Sequence, residues 1–188
     1  MNFAVIDTET NWNNKVMSIG VVISNDTTFT PVKKLYYILT PEYTVGGVFS
    51  SSLFWVDDPT VEKLQGSRSE VLPHLTLSLV KSNVEIIFAY NARFDYGQLP
   101  ELKRFTWVDI MKVSASKQYN KYIPDEIEVY ASSQRIKKGY GVEPIYRMIT
   151  GKTDYREKHN AYHDAVDELE IMKHLELPMI DFLVGKIN

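Results

Sequence analysis

Cysteine is missing from the 188-residue chain. This excludes disulfide-stapled scaffolds, zinc ribbons with thiolate ligands and enzymes with a cysteine nucleophile. Long apolar runs are missing too, since no segment approaches the roughly 18 residues that a membrane-spanning helix needs. Asp7 interrupts the N-terminal apolar run too early for a signal peptide. We therefore expect a soluble, cytoplasmic protein with no membrane partner.

The composition is that of an ordinary globular protein, with 44% hydrophobic and 24% charged residues. A chain of this length buries roughly two-thirds of its unfolded surface and needs no structural metal to fold. We expect one domain over residues 1–188.

Positive charge is unevenly distributed, although the formal net charge is only −3. Residues 103–158 carry 12 Lys and Arg against 7 Asp and Glu, and they are rich in tyrosine. Cations interleaved with aromatic rings can follow a phosphate backbone and stack on bases. An ordinary solvated surface with half-buried tyrosines is the alternative interpretation.

The hydrophobic patterning predicts alternating strands and helices after an N-terminal strand meander. Predicted strands cover residues 3–8, 16–24, 32–39, 84–90 and 106–110. Predicted helices cover residues 60–65, 69–80, 94–104, 111–115, 142–150 and 159–175. This order indicates an α/β fold with a mixed sheet.

Acidic residues follow two of the predicted strands. Asp7 and Glu9 are two residues apart at a strand end, so they point the same way and can share a cation. Asn91 and Asp95 follow the strand at 84–90, where ligand sites of α/β sheets lie. Asp95 could instead simply cap the next helix.

A third polar group surrounds the start of the last long helix. At 100° per residue, Asp164 falls inside the apolar arc of this helix, where a carboxylate needs a cationic partner or a metal. Glu168 points into the same arc and could bind a backbone group. His159 can face the same site as Asp164 only from a loop before the helix, with Asn160 as the cap.

The segments Asp7–Thr10 (DTET), Asn91–Asp95 (NARFD) and His159–Ala165 (HNAYHDA) resemble, in this order, the three motifs of the DEDDh exonuclease family. This family includes the proofreading subunit of the bacterial replicative polymerase and oligoribonuclease. The resemblance spans nearly the whole chain. It implies a ribonuclease H-like fold, with a five-stranded mixed sheet whose second strand is antiparallel, flanked by helices.

The same resemblance implies a 3′–5′ exonuclease that releases nucleoside 5′-monophosphates from single-stranded DNA. Two Mg²⁺ or Mn²⁺ ions would be held by four acids, and His159 would be the general base. The implied metal ligands, which with the histidine form the catalytic set, are Asp7, Glu9, Asp95 and Asp164.

The segment Asn11–Asn13 departs from the family pattern, which often has Thr-Gly-Leu there to grip the terminal nucleotide. We expect Trp12 to stack on the last base instead, with Thr10 and Asn91 also at the substrate. The expected phosphate contacts are Arg135, Lys137 and Lys138.

Several alternatives remain open at this stage. The chain could be an exoribonuclease acting on short RNA, because no residue in the sequence identifies the sugar that is recognised. It could also be a catalytically silent nucleic-acid-binding module, or an accessory subunit with a polymerase or repair partner. The sequence does not predict the oligomeric state.

Overall fold

A computed structural model describes residues 1–188, and its centre is one six-stranded mixed sheet. The strand order is β4-β3-β2-β1-β5-β6, and β2 runs antiparallel to both of its neighbours. The other neighbouring pairs are parallel. The strands are β1 (Asn2–Thr10), β2 (Val16–Asn25), β3 (Pro31–Leu39), β4 (Glu62–Gly66), β5 (Val84–Ala89) and β6 (Thr106–Asp109).

Six α-helices accompany the sheet, and none of them is long and apolar enough to cross a membrane. Short 3₁₀ turns occur as well, among them one at Ser50–Ser52 between β3 and β4. The helices are α1 (Arg68–Lys81), α2 (Arg93–Gln98), α3 (Ile110–Ser114), α4 (Val142–Thr150), α5 (Ala161–Leu175) and α6 (Met179–Phe182).

The mixed α/β fold is confirmed, but the expected strand number of five is wrong. The additional strand is β4, in a segment predicted to be a helix over residues 60–65. The Asp58 carboxylate accepts hydrogen bonds from the backbone N–H (2.8 Å) and hydroxyl (2.7 Å) of Thr60. This closes a local turn rather than starting a helix. The chain then pairs in parallel with the open edge of β3.

The second prediction that fails is the length of the helix at 94–104. Helix α2 ends at Gln98, and a 3₁₀ turn at Pro100–Leu102 follows it. Pro100 provides no backbone N–H and disfavours the helical conformation of Leu99, so the α-helix cannot continue through it.

Alternation along β1 decides which side chains face the candidate site. Phe3 and Val5 belong to the core cluster that contains the buried face of α5, whereas Ala4 and Ile6 belong to the cluster with α1. Because side chains alternate between the two faces of a strand, Asp7 and Glu9 continue the first series. The two carboxylates therefore lie on the α5 side of the sheet.

Gly20 allows α5 to come very close to the sheet. It pairs with Asp7 across the β1–β2 ladder. A Cβ atom at Gly20 would lie 2.0 Å from the Ala161 carbonyl oxygen, which is closer than any real contact. The first turn of α5, which carries Asp164, therefore rests directly on the strand beside Asp7.

We predict that Gly20→Ala destabilises the fold by roughly 1–3 kcal/mol or more, because the new methyl group overlaps backbone that cannot move independently. Thermal or urea unfolding would measure the loss. The matched control is Gly97→Ala, where a Cβ atom meets nothing within 4 Å. Unchanged stability of Gly20→Ala would contradict the close approach of α5 to β2.

Candidate active site

The three polar segments identified in the sequence converge at the carboxyl ends of β1 and β5, beneath the start of α5. Ligand atoms of Glu9, His159 and Asp164 all lie within 4.8 Å of one another. Two carboxylates and an imidazole at this separation can together bind one divalent cation. Asp7 and Asp95 lie outside this tight group.

Four other acids act on the carboxyl group of Asp7. Burial raises the pKa of its carboxyl group well above the ordinary value, and repulsion from Asp95 raises it further. Repulsion from Glu168, Asp164 and Glu9 acts in the same direction. None of the groups that act on Asp7 is a cation. Ionising all of the carboxylates at once is therefore costly unless a positive ion is bound.

Asp95 does not cap α2, because the residue in the cap position is Ala92. Its side chain is 2% exposed and accepts a hydrogen bond of 2.7 Å from the Thr8 hydroxyl. Burial raises the pKa of Asp95 to about 7, even though the Thr8 bond acts in the opposite direction. The contact ties α2 to β1 and holds Asp95 beside the other acids.

Asp164 provides the clearest sign that the site takes a cation. Burial, with repulsion from Glu157 and Glu9, raises the pKa of this carboxyl group to about 8. Its Oδ1 atom is buried and has no hydrogen-bond partner. A buried oxygen without a partner is costly, and a metal ion would satisfy it. The residues present therefore fit a divalent cation with oxygen ligands.

Two further acids, Glu168 and Glu157, raise the pKa values of the carboxyl groups in the site. Glu168 is 2% exposed and accepts a hydrogen bond of 3.1 Å from the Tyr90 backbone N–H. Its position in the apolar arc of α5 indicated such a bond. Sequence reasoning missed Glu157, whose pKa is raised to about 7 by burial and by repulsion from Glu143 and Asp167. It lies in an irregular segment, where no periodicity shows which way a side chain points.

His159 precedes α5 on a loop, and Asn160 is the helix cap, as expected. The Asn160 side chain accepts hydrogen bonds from the backbone N–H groups of Tyr162 (3.2 Å) and His163 (3.4 Å). The φ angle of His159 is +51°, in the left-handed region. Its ring stacks on Phe49, with centroids 4.0 Å apart and planes 15° apart.

Three of the residues predicted to contact the substrate, Thr10, Trp12 and Asn91, are at least partly exposed. Thr10 ends β1 and is half-buried, whereas Trp12 is 67% exposed. Asn91 has a left-handed φ of +57°, and its backbone N–H donates to Asp109 at 3.0 Å. Its side chain has no hydrogen-bonding role within the protein and is exposed. These positions are compatible with substrate contact, which stays a prediction.

The three predicted phosphate contacts lie in the irregular segment between α3 and α4. The Arg135 guanidinium lies over the rings of Tyr130 (5.5 Å) and Tyr140 (5.1 Å). Lys137 pairs with Glu128 at 3.3 Å, which offsets part of its charge. Lys138 is exposed. None of the three belongs to the group of ligands around Asp164, so their role stays a prediction.

No protein-family model matches this sequence, and no curated protein matches it. Solved structures do match. The nuclease domain of 3′hExo, a DEDDh family member, bound to rAMP has a TM-score of 0.60 and 15% identity over 93% of this chain and 90% of its own. A 3′-exonuclease that recognises the 3′ end of the histone mRNA stem-loop gives 0.61 and 12%, over 94% of this chain.

The zinc-bound form of the E. coli ExoI–ssDNA complex gives a TM-score of 0.55 and 12% identity over 93% of this chain. The chain spans 64% of the stem-loop exonuclease and 40% of the E. coli protein. These similarities show that the chain has the ribonuclease H-like fold of the DEDDh 3′-exonucleases.

We predict that the metal-free protein loses stability as the pH rises from about 5 to about 8. The acids of the site have raised pKa values in the folded state, against about 4 in the unfolded chain. Between these values the folded state binds more protons, so stability falls as the pH rises. Magnesium should therefore raise the melting temperature, and more so at pH 8 than at pH 6.

The variant Asp164→Asn should melt higher than wild type in chelator at pH 8, and it should respond little to magnesium. The matched control is Asp125→Asn, which removes an exposed carboxylate in the irregular segment. A melting temperature that is independent of both pH and magnesium would contradict a repulsive, metal-binding cluster.

Proposed function

We propose that the protein is a metal-dependent 3′–5′ exonuclease that hydrolyses single-stranded nucleic acid from the 3′ end and releases nucleoside 5′-monophosphates. The observation that carries the proposal is the convergence of Glu9, His159 and Asp164 within 4.8 Å, on a fold shared with DEDDh 3′-exonucleases. DNA is the proposed substrate.

Four acids would hold two Mg²⁺ or Mn²⁺ ions. When bound, such ions lower the pKa of a water molecule and stabilise the negative charge that develops on the phosphate. The unpartnered Oδ1 of Asp164 supports this assignment, as does the repulsion among the carboxylates. The proposed ligands are Asp7, Glu9, Asp95 and Asp164.

His159 would accept the proton from the attacking water. Imidazole is the side chain best suited to exchange protons near neutral pH. The ring is partly exposed beside Glu9 and Asp164, so it can reach a water molecule placed between the carboxylates and the substrate phosphate. Stacking on Phe49 limits how far it can turn.

RNA is the alternative substrate, and the neighbouring structures give it specific support. One neighbour is bound to rAMP, and another recognises a histone mRNA stem-loop. The E. coli neighbour is bound to single-stranded DNA. A catalytically silent module is disfavoured because the four acids and the histidine are all present, with Glu9, His159 and Asp164 brought together.

The direct test uses DNA and RNA oligonucleotides labelled at either end, incubated with magnesium. Wild type should shorten 5′-labelled strands stepwise and release the 3′ label as a mononucleotide. Asp7→Ala should lower the rate by at least about a thousandfold, because one of the four proposed metal ligands is lost. Asp125→Ala, the matched control, should cleave like wild type.

The relative rates on the two nucleic acids decide between DNA and RNA. Stepwise shortening from the 5′ end, or equal cleavage by Asp7→Ala and wild type, would contradict the proposal. Binding without any cleavage would favour the silent module.

The basic residues within 103–158 should contribute to the binding of long strands only. Reversing the charge at Arg135, Lys137 and Lys138 should weaken binding of a long single strand and make that binding less sensitive to salt. Cleavage of a dinucleotide should be unchanged. Reversal at Lys33, Lys81 and Lys173, which lie outside residues 103–158, is the control. Equal losses on long and short substrates would contradict a guiding role.

A further inference from the structure

A short turn next to the sheet holds the loop that carries His159. The turn comprises residues 49–53 and includes the 3₁₀ turn at Ser50–Ser52. Ser52 is only 3% exposed, and its hydroxyl lies within hydrogen-bonding distance of two carbonyl oxygens, those of Phe49 (2.7 Å) and His159. The Ser52 carbonyl in turn accepts a hydrogen bond of 2.8 Å from the Asn160 side chain. One residue of the turn thus binds two consecutive residues of the loop.

Tyr36 on β3 connects this turn to the sheet. Its hydroxyl donates to the Leu53 carbonyl at 2.8 Å and accepts from the Asn160 side chain at 3.2 Å. The side chains of Tyr36, Ser52 and Asn160 are all at most 3% exposed. Since the bonds are shielded from water, they form a rigid link from the sheet to the loop.

The same turn also contacts the His159 ring, through the stack with Phe49. A non-glycine residue with φ of +51° adopts a conformation that the surrounding structure must impose. The 49–53 turn therefore constrains His159 twice, through its backbone and through its ring. The proposed reaction requires the His159 side chain to lie beside Glu9 and Asp164. The turn constrains this same side chain.

We propose that Ser52 and Tyr36 are positioning residues that hold His159 in the orientation needed for proton transfer. This inference rests on the proposed function. Neither residue belongs to the set of acids, and the hydroxyls of both are used in bonds within the protein. Their loss leaves the acids in place and lets the histidine loop take other conformations.

The kinetic test compares Ser52→Ala and Tyr36→Phe with the matched control Ser51→Ala, which alters the exposed neighbour in the same turn. Misplacing a catalytic group by about 1 Å costs on the order of a hundredfold in rate. We expect kcat to fall about tenfold or more in the two test variants, with KM and the magnesium midpoint within about twofold. Ser51→Ala should match wild type.

A double-mutant cycle separates positioning from a general structural role. In a His159→Ala background, Ser52→Ala should have no further effect on the residual rate, because the group that it positions is already absent. An equal loss of rate in both backgrounds would overturn the proposal, as would full activity of Ser52→Ala. Tyr36→Phe, which keeps the buried ring, provides the same comparison if Ser52→Ala does not fold.

A readout that does not depend on activity is the NMR signal of the His159 ring. The chain has four histidines, and His159→Ala assigns the signal. Stacking on Phe49 should shift it upfield in wild type and Ser51→Ala, and Ser52→Ala should lose this shift. An unchanged shift in Ser52→Ala would overturn the proposal. Loss of the shift in a protein without nuclease activity would contradict the proposed function while leaving the constraint on His159 intact.

Discussion

Repulsion among buried carboxylates is the constraint on which the rest of this structure depends. Asp7 experiences the charges of four other acids, and burial intensifies each of these interactions. A fold that brings such groups together is stabilised when the acids bind protons or when a cation balances their charge. The unpartnered oxygen of Asp164 shows where that charge would be placed. The ion of the proposed reaction would therefore also stabilise the fold.

The architecture brings the acids together by simple means. Strand alternation places Asp7 and Glu9 on one face, and the lack of a side chain at Gly20 lets α5 rest against that face. Asp164, one turn into the helix, then lies above the strand end. The bond from Thr8 to Asp95 fastens the carboxyl end of β1 to α2. The four acids are thus carried by β1, α2 and α5, while His159 depends on a loop held by hydrogen bonds.

The sequence predicts the parts of this fold that follow from local periodicity. Helix α4 has the predicted bounds, and the loop position of His159 followed from its angle to Asp164 around the helix. Strand β4 was predicted as a helix because its strand conformation comes from pairing with β3, which is distant in the chain. The sequence does not predict the repulsion between Glu157 and Asp164. It does not predict the hydrogen bonds of Ser52 either, for a similar reason. Both depend on long-range contacts in irregular segments, which leave no periodic signal.

The most direct measurement of the central claim is a titration of the protein with Mn²⁺ followed by electron paramagnetic resonance, which counts bound ions without requiring a substrate. Wild type is expected to bind two ions per chain in a saturable manner. Asp7→Asn and Asp164→Asn are expected to weaken this binding strongly, whereas Asp125→Asn is not. Absence of saturable binding in wild type, or equal binding in all of these variants, would contradict the account.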